Sequence, residues 1–179
     1  SKITVGSSWD ATGGSFVAGT STVEFTSWAD ITAISGGNAF YNVERDANGG
    51  SDFLTVSTDD LTINNNLTLT HGTLNLLKDL YLNGNLIIVD SANGGGAGEL
   101  IFNGSGLQTI SGGGNIAVAN VRISNISANG VRMDSATGVR NFIMDASTKF
   151  DASGYDITMR GTIWTVDSAA TFTSGTNTI

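Results

Sequence analysis

The chain repeats itself. Gly84-Asn85-Leu86-Ile87-Ile88-Val89-Asp90-Ser91-Ala92 returns as Gly161-Thr162-Ile163-Trp164-Thr165-Val166-Asp167-Ser168-Ala169. Ile34-Ser35-Gly36-Gly37 returns as Ile110-Ser111-Gly112-Gly113, and Asn42-Val43 as Asn120-Val121. Ile3, Leu80 and Ile157 are spaced 77 apart, as are Phe25 and Phe102. A third copy opens near Ile157, where the run from Phe172 to Ile179 matches the run from Phe16 to Val23. A long period made of short apolar runs points to a solenoid, in which each unit buries its apolar surface against its neighbours. Residues 1–179 therefore read as one solenoid with units at about 3–79 and 80–156 and a partial one at 157–179.

The local pattern says what the units are made of. Phe53-Leu54-Thr55-Val56, Leu61-Thr62-Ile63, Leu67-Thr68-Leu69-Thr70, Thr73-Leu74-Asn75-Leu76 and Leu80-Tyr81-Leu82 alternate with period two and end at Gly, Asn or Asp. That is the signature of short strands. No window sustains an apolar stripe at helical spacing, so no long helix is expected; the best place for a short one is Gly138 to Met144. Proline is absent, which suits ladders that use every main-chain N–H. The expected fold is all-β: a right-handed parallel β-helix of about seven coils, three strands and about 25 residues to each. Two antiparallel sandwiches are the alternative. The expected core includes Leu54, Val56, Leu67, Leu69, Leu74, Leu76, Val131 and Met133. Asn64, Asn65 and Asn66 belong at a corner with side-chain ladders. The glycine clusters at 36–37, 49–50, 94–96 and 112–114 belong at corners with positive φ.

Charge narrows the partners. Sixteen acidic residues against eight basic give a net charge of −8, which argues against nucleic acid and against an anionic membrane surface. The longest apolar run, at Leu86 to Val89, is far short of a membrane helix, so no membrane insertion is expected. Cysteine is absent, which removes disulfides and thiolate metal sites from this chain.

Phe102-Asn103-Gly104-Ser105-Gly106-Leu107-Gln108-Thr109-Ile110-Ser111-Gly112 and Asn66-Leu67-Thr68-Leu69-Thr70-His71-Gly72-Thr73-Leu74-Asn75-Leu76 resemble repeats of large bacterial surface proteins. So does Trp9 followed by the run from Phe16 to Phe25. These are adhesin-like, secreted right-handed β-helix proteins, akin to filamentous-haemagglutinin and pectate-lyase-like solenoids. The resemblance implies an extracellular or cell-surface β-solenoid, and it carries over no catalytic residue.

Candidate chemistry is sparse. His71 is the only histidine and reads as a turn residue before Gly72. Asp59-Asp60 is the best carboxylate pair, but it does not recur, and it reads as a solvated corner. For metal, Asp46, Asn48 and Asp52 make an oxygen-rich loop that could take Ca2+; the competing reading is an Asp-stabilised turn without metal. Asp90 and Asp167 recur and are expected to stack on one face. Trp9 and Trp164 match across units and read as packing residues, whereas Trp28 is the aromatic expected at the surface as a ligand platform, with glycans as its partner class. No cofactor and no enzymatic activity are expected. The terminal segments look uncapped, so the expectation is head-to-tail self-association, or contact with adjoining repeats, in a structural or adhesive element outside the cell. A carbohydrate-binding or polysaccharide-cleaving β-helix is the alternative.

Overall fold

A computed structural model describes residues 1–47, 52–90, 95–113 and 119–175. Every regular element among them is a strand, and every strand pairing is parallel. The chain winds as a β-solenoid whose coils present three faces in turn. The first face is a nine-stranded sheet running from Lys2–Val5 through Thr22–Phe25, Asn42–Asp46 and Leu67–His71 to Thr171–Thr173. The second face holds Trp9–Asp10, Ile31–Ile34, Phe53–Val56 and Thr73–Leu76; later coils place Thr137–Val139 and Ile157–Met159 at the same point of the winding. The third face is a seven-stranded sheet from Ala39–Phe40 to Trp164–Val166.

The coil is shorter than the expected 25 residues. Along the first face Ile3 pairs with Val23, Val23 with Val43, Val43 with Leu67, Leu67 with Leu86, and Leu86 with Ile110, so successive coils are separated by 19 to 24 residues. The solenoid completes about eight turns rather than seven. The difference lies in the corners. The connection from one face to the next ranges from a single residue, as at Gly72 between Leu67–His71 and Thr73–Leu76, to several, as between Thr22–Phe25 and Ile31–Ile34. Gly72 has φ +94°, a conformation that a side chain resists. Gly36, Gly37, Gly96 and Gly112 also take positive φ, as expected, whereas Gly95 and Gly113 do not; residues 49–50, 94 and 114 lie outside the described set.

Residues separated by 77 in sequence do not share a face. Phe25 is on the nine-stranded face and Phe102 on the seven-stranded one; Ile3 is on the first face, Leu80 on the third and Ile157 on the second.

Alternation fixes what goes inside. Val23, Val43, Leu67, Leu86, Ile110 and Met133 form one continuous inward column, each fully or almost fully buried. Leu61, Leu80, Leu100, Val121, Phe142 and Trp164 form another on the third face. Leu54, Val56, Leu69, Leu74, Leu76 and Val131 are buried as the alternation predicts. The segment Gly138 to Met144 is not helical. It is the end of strand Thr137–Val139, a corner at Arg140, and strand Asn141–Met144. Phe142 and Met144 point inward with Ile143 turned outward between them, a period-two alternation that a helix would not give.

Candidate functional site

Outward positions on adjacent coils lie about 4.8 Å apart, so polar side chains meet in columns. On the first face Asn42, Asn66 and Asn85 stack. The Asn42 Oδ1 accepts the Asn66 main-chain N–H at 3.1 Å, Asn66 Oδ1 accepts that of Asn85 at 3.0 Å, and Asn85 Oδ1 accepts that of Thr109 at 2.8 Å. Asn65 donates to Asn42 Oδ1 at 2.8 Å, and Asn83 to Asn64 Oδ1 at 3.2 Å, so residues 64–66 form the expected corner ladder. On the third face Asp60 Oδ1 accepts the Asp79 N–H at 3.1 Å and Asp79 Oδ1 accepts the Glu99 N–H at 2.9 Å. Asp59 Oδ2 accepts the Gly36 N–H at 3.0 Å. The Asp59-Asp60 carboxylates thus each cap a main-chain donor of a neighbouring coil.

The richest charged cluster among the described residues is on the first face near its corner with the second. Glu24 and Glu44 are in register on adjacent strands, and Asp46 lies two residues beyond Glu44. One carboxylate oxygen from each of the three falls within 4.8 Å of the others. The Lys2 ammonium reaches Glu24 Oε1 at 2.6 Å and Glu44 Oε2, two coils away, at 3.2 Å. These two carboxylates raise the Lys2 pKa. Thr70 donates to Glu44 Oε1 at 3.2 Å. His71 Nδ1 lies 2.7 Å from Asp46 Oδ1. His71 ends its strand and precedes Gly72, as expected of a residue at a turn.

Beneath this cluster sits a buried cation. Arg45 occupies an inward position between Phe25 and Leu69, in a column that is otherwise apolar, and has no exposed surface. Its guanidinium donates to the carbonyls of Phe25 and Asp52, each at 3.3 Å, and its Nε has no partner. Burial lowers its pKa, opposed by Asp52, Asp30 and Asp46. The strand pairing slips by one residue directly after Arg45. A side chain at Gly72 would crowd the Arg45 Nε, so the glycine leaves room for the guanidinium.

No known protein family, curated protein or solved structure matches the chain.

The residues singled out in the sequence fall as follows. Asp46 joins Glu24 and Glu44, a grouping not read from sequence. Asp52 contributes its main-chain carbonyl, to Arg45 and to the Thr73 N–H at 2.9 Å. Asn48 lies outside the described residues. Asp90 and Asp167 do not stack: Asp90 follows a strand of the nine-stranded face and Asp167 one of the seven-stranded face. The reason is that their separation is not a whole number of coils. Trp28 is 72% exposed on the corner after Thr22–Phe25. Trp9 packs edge-on against Phe16 and Phe40, and Trp164 stacks on Phe142 at 4.6 Å.

Sequence reasoning missed Lys2, Glu24, Glu44 and Arg45. One signal was available. Val23-Glu24 recurs as Val43-Glu44 after twenty residues, the coil length on this part of the face.

Proposed function

We propose that this chain is a structural or adhesive β-solenoid element of an extracellular or cell-surface protein, built to stack end to end with further coils. Those coils come either from adjoining repeats or from another copy. The observation that carries the reading is the state of the two end coils. At one end Val5, Trp9 and Phe16 are only partly buried against the core; at the other, Trp164, Val166 and Phe172 are. Val5, Trp9, Trp164, Val166 and Phe172 pair in register with buried residues of the adjacent coil, so a further coil would cover them. The strands Lys2–Val5 and Thr171–Thr173 each pair on one side within the described residues. A parallel edge of this kind is a template for another strand. Contact between unlike ends need not close, so it propagates as a filament.

The polar columns support the same reading. Asn42, Asn66, Asn85, Asp60 and Asp79 spend their side chains on bonds between coils, which is chemistry of cohesion along an axis. Electron microscopy of the concentrated chain tests the proposal. Rods that lengthen with concentration support it, and particles the size of a single chain at every concentration overturn its self-stacking arm.

A second reading rests on Trp28. An indole 72% exposed on a corner offers a flat apolar face to a sugar ring. A glycan array on the wild-type chain and on Trp28→Ala decides it: binding lost in the variant supports a glycan partner, and equal signals from the two dismiss Trp28 as the platform.

A further inference from the structure

No further inference is drawn: the strongest candidate, the carboxylate cluster of Glu24, Glu44 and Asp46 beside His71 on the nine-stranded face, already holds the Lys2 ammonium between two of its members, and no second observation at that corner points to a ligand.

Discussion

Asn66 and Asn85 sit on successive coils of the nine-stranded face, and the Asn66 carboxamide oxygen accepts the Asn85 main-chain N–H at 3.0 Å. The bond satisfies a donor at a corner, where the strand ladder has not yet begun. Asn66→Ala removes that acceptor. The expected cost is about 1 kcal/mol, the usual net worth of one such hydrogen bond. Asn66→Asp keeps an acceptor oxygen in place and is expected to cost less. Urea denaturation of the two variants checks the order; equal losses would mean that the acceptor is not what matters.

Leu69 is 1% exposed and points inward between Arg45 and Ile88. Leu69→Ala is expected to cost about 2–5 kcal/mol, the range for a leucine deleted from a packed core. Ile87 lies on the same face with the opposite parity, so its side chain points outward. Ile87→Ala, at a half-buried outward site, is expected to cost about 1 kcal/mol or less, well below the Leu69 loss. The pair of measurements fixes the register. If the two losses were reversed, every inward assignment on this face would be off by one residue.

Arg45 places a charge where its column neighbours Phe25 and Leu69 place apolar groups. Replacing a buried charge by an apolar group of similar volume is often neutral or stabilising. Arg45→Met is therefore expected to stay within about 1 kcal/mol of the wild type, since it fills the space without the desolvation penalty. Arg45→Ala leaves a cavity and is expected to cost about 3 kcal/mol. Thermal melting of both variants checks this. Equally large losses for Met and Ala would show that the bonds to the Phe25 and Asp52 carbonyls outweigh packing.

Alkaline pH should loosen the fold. Burial raises the Tyr81 pKa, helped by Asp60, Asp79 and Glu99, and the bonds to Glu24 and Glu44 raise that of Lys2. Both groups hold their protons more tightly when folded. Their contribution is complete below the unfolded values of about 10 for Tyr and about 10.4 for Lys, and is lost as pH rises through the folded ones. The urea midpoint is expected to be level from about pH 7 to pH 9 and to fall beyond about pH 10. A midpoint unchanged through about pH 12 would contradict both assignments.

Much of this architecture was legible because the alternation is strict. Leu54, Leu67 and Leu74 could be placed inward from their neighbours alone, since the side-chain period of a strand admits only two answers. Corner chemistry was legible at residues 64–66 and at Gly36 for the same local reason. The coil length was obscured by the more conspicuous recurrence at about 77 residues. That interval spans between three and four coils, so it carries Phe25 to another face at Phe102. It also aligns outward Ile87 with Trp164, which packs against Phe142. The charged corner was not legible. Lys2, Glu24 and Glu44 meet only through coil register, and Arg45 enters the core just before a one-residue slip that no local pattern announces.

End coils that act as stacking surfaces, as proposed, would make assembly concentration-dependent. Sedimentation velocity of residues 1–179 over a wide concentration range, alongside Phe172→Asp, tests it most directly. Phe172 stacks on Phe150 with ring centroids 5.8 Å apart and is only partly covered, so a charge there spoils the end surface while the coils beneath it stay packed. The wild-type sedimentation coefficient is expected to climb with concentration, and the variant, with an unchanged far-ultraviolet spectrum, to remain a monomer. A wild-type chain that stays monomeric at every concentration, or a variant that assembles equally well, would contradict stacking of one copy on another through these ends.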